Sequence, residues 1–493
     1  MNLAEYLLWS LYGGLCAALM AYGLNSYVLI RLFLRRRGAS RYADHQREQA
    51  FAAQVAEGTV ELPHIVTQVP IYNEANVAER VIRACAAMVY PADRHEVQVL
   101  DDSNDETCDL IDAVAAELRE QGKRVTVVRR TDRSGFKAGA LNEGLRRSDA
   151  PFVAVFDSDF VPPADFLQRS LPHLLSQPDV GLVQSRWGHL NAGESWLTRA
   201  LALGIDGHFA VEQPARSWNR LFLNFNGTAG LWRREAIDHA GGWQADTLTE
   251  DMDLSYRAQL SGWRIHYLPD LVTPAELPNT FLAFKSQQFR WAKGSVQTAL
   301  KLLPQVMRAP GSRVRKVQAI FHLTHYLIHL CMFAMALLAL PLMFAQPTAV
   351  GGAVWAVMLG PIVLATLGPS VLLGVSQWAV DRRGIWKALR SLPALIVIGF
   401  GISLSNSRGV LEALFRRPSA FIRTPKQGTT RVKAYRVQRN PVPWLEVGLG
   451  LYCAAVLVAS LVLGRFAIGP FLIVYVAGYL VVGVSSLREA RWA

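Results

Sequence analysis

Two strongly apolar regions, residues 3–34 and 317–487, enclose a middle segment of mixed polarity in a chain of 493 residues. A helix needs about 20 consecutive apolar residues to cross a bilayer, and both regions supply them. The middle segment, roughly 280 residues, is long enough to bury a core of its own. This arrangement excludes a purely soluble enzyme, a disordered chain, collagen and a small disulfide scaffold. Composition agrees: 51% hydrophobic and 18% charged is too apolar for an ordinary soluble protein and too charged in places for an all-membrane one.

The net charge of +12 raises nucleic-acid binding as one reading. The basic residues cluster beside the apolar regions instead: Arg31, Arg35, Arg36, Arg37 and Arg41 follow the first, and a second cluster spans Arg416 to Arg439. Flanking charge of this kind orients membrane helices with the basic side cytoplasmic, so a lipid bilayer is the expected partner and nucleic acid is not. Residues 3–34 are too long for a signal peptide and no small-residue cleavage site follows. The chain therefore divides into a transmembrane helix (1–37) with its N-terminus outside, a polar linker (38–60), a cytosolic domain (61–305) and a C-terminal membrane region (306–493). That region holds four spans, about 317–345, 351–379, 443–464 and 467–487. Asp381-Arg382-Arg383 on one side and Arg408 to Arg439 on the other both read as cytoplasmic, so an even number of crossings separates them. Zero is the natural choice, which lays 386–416 along the interface. An integral protein of the plasma or inner membrane, or of the Golgi in a eukaryote, is expected. The five cysteines show no CxxC or metal spacing and read as reduced, inert thiols.

Within the middle domain short β-rich runs alternate with helical stretches. His64–Pro70, Glu96–Leu100, Arg124–Arg129, Phe152–Phe156 and Val180–Arg186 read as strands, with helices over Asn76–Met88, Glu106–Glu120, Lys137–Arg146 and Ala164–Leu175. The pattern is a doubly wound α/β domain, a mostly parallel sheet inserted between transmembrane helices. Such sheets bind ligands beyond the carboxyl ends of their strands.

Acidic clusters stand at those ends. Asp101-Asp102-Ser103 follows the second strand and Asp157-Ser158-Asp159 the fourth. Two carboxylates in Asp-x-Asp reach one hard cation, Mg²⁺ or Mn²⁺, which also binds substrate phosphates; solvated loop acids are the bland alternative. A third cluster, Thr249-Glu250-Asp251, opens a helix that Thr249 is placed to cap and Gly262 to end. A carboxylate such as Asp251, beside a metal–phosphate site, can deprotonate an attacking hydroxyl. Gln287, Arg290 and Trp291 share a helix face at i, i+3 and i+4. Arginine offers a forked phosphate ligand and tryptophan a flat surface for a sugar ring, although anchoring at a membrane interface also explains them. Together these groups call for a nucleotide-diphosphate donor, a metal, a base and a hydroxyl acceptor.

At this point the residues resemble processive family 2 glycosyltransferases of the cellulose-synthase superfamily. Asp102, Asp157-Ser-Asp159, Thr249-Glu-Asp251 and Gln287-x-x-Arg290-Trp291 match its signature set. Similarity is greatest to the cellulose-synthase-like A and C groups (glucomannan and xyloglucan-backbone synthases), through Gln68-Val-Pro-Ile-Tyr-Asn-Glu74, Gln98-Val-Leu-Asp-Asp-Ser103, Lys137-Ala-Gly-Ala-Leu141, Phe225-Asn-Gly-Thr-Ala-Gly230 and Gly241-Gly-Trp243. The resemblance implies a GT-A-like fold and a metal-dependent inverting hexosyltransferase. UDP-glucose or GDP-mannose would be the donor and a growing β-linked glycan the acceptor. It further implies that Asp102 contacts the nucleobase end and Lys137 the pyrophosphate. By the same resemblance this is a nucleotide-sugar-binding domain in which Asp157 and Asp159 would hold the diphosphate–metal site, and Asp251, with Glu250 beside it, would be the base. Arg290 would hold the diphosphate, while Trp291, Gln287 and the wall containing Phe225, Gly227 and Thr228 would serve the acceptor. Phe421-Ile-Arg-Thr-Pro-Lys426 is similar to the gating loop of bacterial cellulose synthase, with Arg423 where valine is usual, which marks 418–432 as a gating-like loop.

Two other readings stay open from the sequence. One is transfer of a single sugar to a membrane lipid, a ceramide or diacylglycerol, since Gln-x-x-Arg-Trp occurs in both kinds of enzyme. The other is a transporter or scaffold with a dead transferase domain, against which the intact acidic set argues. His322, His325 and His329 fall on one face of the second expected span; inter-helix hydrogen bonding or pore lining accounts for them better than metal ligation. The sugar, any partner subunits and the product length are not legible.

Overall fold

A computed structural model describes residues 3–345, 352–418, 441–464 and 469–492. The gating-like segment Phe421–Lys426 lies outside the described residues. Seven strands build the central sheet: β1 (Ile65–Ile71), β2 (His95–Asp101), β3 (Val125–Arg129), β4 (Phe152–Val155), β5 (Val180–His189), β6 (Gly230–Arg233) and β7 (Arg264–Ala275). Their order is β3-β2-β1-β4-β6-β5-β7. β1, β2, β3 and β4 run parallel, as do β5 and β7, while β6 runs antiparallel to both its neighbours. The continuous burial along β1 and β4 is what a parallel sheet covered on both faces requires. The helices between the first strands are α2 (Ala75–Ala86), α3 (Thr107–Glu120), α4 (Phe136–Arg146) and α5 (Phe166–Leu175), followed by α6 (Trp196–Gly207), α7 (Gln213–Trp218), α8 (Arg234–His239) and α9 (Glu250–Leu260). Parallel pairing brings the carboxyl ends of β1, β2 and β4 to one edge, where Asp102 and Asp157 lie.

The first helix, α1, is a single element from Leu3 to Ala56. The expected linker at 38–60 is therefore helical over most of its length. Its polar residues are good helix formers with neither glycine after Gly38 nor proline to interrupt them before Gly58, and Phe51 packs into the main core of the α/β domain.

After the sheet come α10 (Phe281–Arg308), α11 (Arg313–Thr324), α12 (Leu327–Phe344), α13 (Gly352–Val380), α14 (Ile385–Gly401), α15 (Ser403–Leu414), α16 (Val442–Val462) and α17 (Gly469–Trp492). Five helices of the described residues are long and apolar enough to cross a membrane: α1, α12, α13 within Val363–Val380, α16, and α17 within Phe471–Ala490. The sequence placed the second span over 317–345; the helix instead breaks at His325–Tyr326, where the hydroxyl of Ser295 donates to the Leu323 carbonyl at 2.9 Å. α14 and α15 meet at 45°, the shape of a broken span or a re-entrant pair. α1 and α13 lie backbone to backbone, so close that a Cβ on Gly23 would overlap the Ala365 carbonyl and one on Gly368 the Gly23 carbonyl. Small residues allow membrane helices this approach.

Candidate active site

The carboxyl end of the sheet opens into a cavity of about 1220 Å³. Asp102, Lys137, Asp157, Asp159, Gly227, Glu250, Asp251, Gln287, Arg290 and Trp291 all line it. Asp157 directly follows Phe156 at the end of β4, and its backbone N–H donates to Thr228 Oγ1 at 2.8 Å, which fixes the turn. The Lys137 ammonium, in the first turn of α4, donates to Asp157 Oδ1 at 2.6 Å and to the Gly227 carbonyl at 2.8 Å, and lies 3.8 Å from Glu250. Gly227 has φ +80, and a Cβ there would fall 3.0 Å from Asp251 Oδ2 and 3.3 Å from Lys137 Nζ. Only glycine gives the backbone both that conformation and that approach.

Glu250 and Asp251 occupy the first turn of α9. Asp251 Oδ1 accepts the Met252 N–H at 2.7 Å. Burial, then the neighbouring Glu250, push the Asp251 carboxyl up to about 7, with Lys137 opposing them. Burial likewise raises Glu250 against the pull of Lys137. For Lys137 burial lowers the pKa, but Asp157 and Glu250 outweigh it and the ammonium is held above its ordinary value. A buried carboxyl pair whose affinity for protons is raised, beside a fixed ammonium, is a site suited to accepting a proton.

Asp102 is held by Arg130, whose Nε donates to Oδ1 at 2.9 Å and whose Nη2 engages Oδ2. The same guanidinium donates to the carbonyls of Ser134 (2.8 Å) and Phe136 (3.1 Å), so Asp102 organises the loop that starts α4. Arg133 from that loop stacks on the Tyr72 ring, 3.2 Å from its centroid. On α10, Gln287, Arg290 and Trp291 face the same cavity, and the buried Oε1 of Gln287 accepts no hydrogen bond.

The sequence model of "Glycosyltransferase like family 2" matches residues 63–294. Glucomannan 4-beta-mannosyltransferase 2 of Arabidopsis thaliana is 38% identical over 76% of this chain and 69% of its own length. Glucomannan 4-beta-mannosyltransferase 7 of the same plant is 32% identical over 90% of this chain and 80% of its own. The chain belongs to glycosyltransferase family 2. Within that family its relatives are cellulose-synthase-like enzymes, and it is a membrane-associated transferase. A solved mannosyltransferase from Pyrobaculum calidifontis, in complex with GDP-Man and Mn²⁺, covers 81% of this chain at 19% identity, all of its own chain, with a TM-score of 0.47.

Not every residue expected at this family 2 site reaches it. Phe225 is fully buried, edge-on to Trp232 and tilted on Trp243, so it is core and not an acceptor wall. Thr228 is also fully buried and acts through Asp157. The wall residues on this loop are Asn224, Asn226 and Gly227. Thr249 precedes α9, but its side chain makes no capping bond; its hydroxyl meets Thr298 Oγ1 at 3.2 Å. The sequence reading missed Arg130 and Arg133. Their signal, a basic cluster just before Lys137, has no meaning until β2 and β3 are paired. His322 bridges Tyr256 (2.7 Å) and Asn224 (3.1 Å) and lines the cavity with His325 and His329.

Proposed function

We propose that this transferase moves mannose, with inversion, from GDP-mannose to the non-reducing end of a growing β-linked mannan or glucomannan, and passes the product between its own helices. The observation that carries this reading is the continuity of the cavity. From the carboxylates it extends past Trp291, His322 and Tyr326 to Tyr12 and Cys16 of α1, Phe400 of α14 and Tyr475 of α17. An acceptor hydroxyl lying against Trp291 would give its proton to the Asp251 carboxylate as it attacks the anomeric carbon. Lys137 and Arg290 would hold the charge that develops on the departing diphosphate. Asp102, through Arg130, would set the loop that flanks the nucleoside.

Asp157 and Asp159 supply an all-oxygen donor set on one cavity wall, which fits Mg²⁺ or Mn²⁺. Such a cation supplies charge neutralisation to the diphosphate when bound. The names of the glucomannan mannosyltransferases above support mannose over glucose. The arginines that follow the apolar stretch of α1, Arg31 to Arg41, support a cytosolic catalytic domain, with α14 and α15 dipping into the interface.

The test is a donor comparison, GDP-mannose against UDP-glucose, on purified full-length protein, with products sized before and after β-mannanase digestion. A mannanase-sensitive polymer is expected. One sugar on a lipid, or a glucan made from UDP-glucose alone, overturns the reading. In the same assay Asp251→Asn should lose transfer while GDP-mannose still binds; full activity in that variant rejects the base.

A further inference from the structure

Outside the lining of the large cavity, three side chains from distant parts of the chain converge: Asp44 in the polar stretch of α1, His173 of α5 and His266 of β7. One ligand atom of each lies within 4.8 Å of the other two. Asp44, His173 and His266 are 6%, 0% and 8% exposed. His266 Nε2 is 3.0 Å from Asp44 Oδ1, yet the angles give no hydrogen bond, and neither ring nitrogen of His173 has one. Asp44 Oδ2 is also buried without a partner; Oδ1 has Arg47 Nη1 at 3.3 Å. Buried polar atoms are almost always satisfied. Two of these four atoms, His173 Nδ1 and His266 Nε2, converge on Asp44 Oδ1 at 3.9 and 3.0 Å, where a cation would engage both.

We propose that Asp44, His173 and His266 bind a structural Zn²⁺ that fastens the membrane anchor to the catalytic sheet. Two imidazoles and a carboxylate suit Zn²⁺ and poorly suit Mg²⁺. Bonds of about 2.0–2.2 Å place tetrahedral ligands about 3.4 Å apart; the Asp44 Oδ1 distances to His266 Nε2 and His173 Nδ1, 3.0 and 3.9 Å, bracket that value. With Nδ1 on the metal, the other nitrogen of His173 faces Glu48 Oε1 at 3.7 Å, and Arg169 holds Glu48 at 2.9 Å. A ligating histidine commonly gives its second N–H to a carboxylate, and Glu48 is the carboxylate that stands on that side of His173. The rings of His173 and His266 stack at 4.5 Å, which orients both. β7 continues from His266 to Ala275, and Ala275 and Glu276 line the catalytic cavity. The metal would therefore tie α1 to the strand that ends at the active site.

The test is metal analysis of the full-length protein, purified through a histidine-free tag. About one zinc per chain is expected, surviving dialysis without chelator. His266→Gln and Asp44→Asn should each cut zinc at least tenfold, with size exclusion checking that they fold. Asp159→Ala, at the diphosphate, should keep it. Glu48→Gln retains both ligands' elements and should weaken zinc about 10–100-fold in chelator competition. Cobalt-loaded protein should show the visible absorption of a low-coordinate site, absent in His266→Gln. Wild-type protein that carries no zinc and takes none up from zinc-buffered dialysis overturns the proposal. So does zinc content indifferent to both ligand substitutions in folded protein.

Discussion

Asp251 is neutral about half the time at pH 7 because burial and Glu250 raise its carboxyl to about 7. A base must be ionised, so kcat/KM should rise with pH through that value and level off above it. Below it the rate should fall about tenfold per pH unit. A flat profile between pH 5.5 and 7.5 would reject Asp251 as base. The same burial has a stability consequence. A carboxyl raised on folding costs stability as pH climbs from the unfolded carboxylate value towards 7, so Asp251→Asn should raise the melting temperature near neutral pH while abolishing transfer. Gly227→Ala places a methyl group on both Asp251 and Lys137 and forces φ +80 on a side-chain residue; activity should drop at least tenfold in protein that still folds. The place of Asp157, Asp159, Glu250 and Asp251 on the cavity was legible because carboxylates at strand and helix ends sit where such sheets open. Phe225 and Thr228 were not. Whether a residue of that loop faces the cavity or the core depends on the left-handed turns at Gly227 and Ala229, and no periodicity reports those.

At the scale of elements, β1 to β5 and the helices between them were legible, since their buried runs and punctuation are local, whereas β7, the sixth strand with a parallel partner, was not read. β6 was not: a four-residue strand wedged antiparallel between β4 and β5 is defined by its partners alone. The long helix α1 was read as a span plus linker because charge marks where the membrane ends, not where a helix does. The loop before α4 is likewise a product of pairing: parallel β2 and β3 bring Arg130 to Asp102, 28 residues away. Asp102→Asn weakens a charge-assisted fork that also holds Ser134 and Phe136. The donor KM should therefore rise about tenfold with a smaller change in kcat, as steady-state kinetics would show. An unchanged KM would mean that the loop is fixed without this pair.

Across the whole molecule, the helix that presents Gln287, Arg290 and Trp291 is tied to the last two membrane helices. Lys285 of α10 donates to Glu446 of α16 at 2.7 Å and to Ser486 of α17 at 3.2 Å. Glu489 of α17 accepts the N–H groups of Phe281 and Leu282 at 2.8 and 3.0 Å, at the start of α10. Lys285 and Glu446 are 5% and 0% exposed. Removing one member leaves a buried charge unpaired and costs about 3–5 kcal/mol, whereas replacing both with apolar residues of similar volume is near neutral. Glu446→Leu should thus destabilise strongly, and Lys285→Met with Glu446→Leu should recover most of the loss in a thermal-unfolding cycle. Activity separates structure from coupling. If the pair sets where α10 stands relative to the cavity, the stable double variant should still lose transfer, with a raised acceptor KM. A double variant with wild-type kinetics would show that packing alone places the three residues.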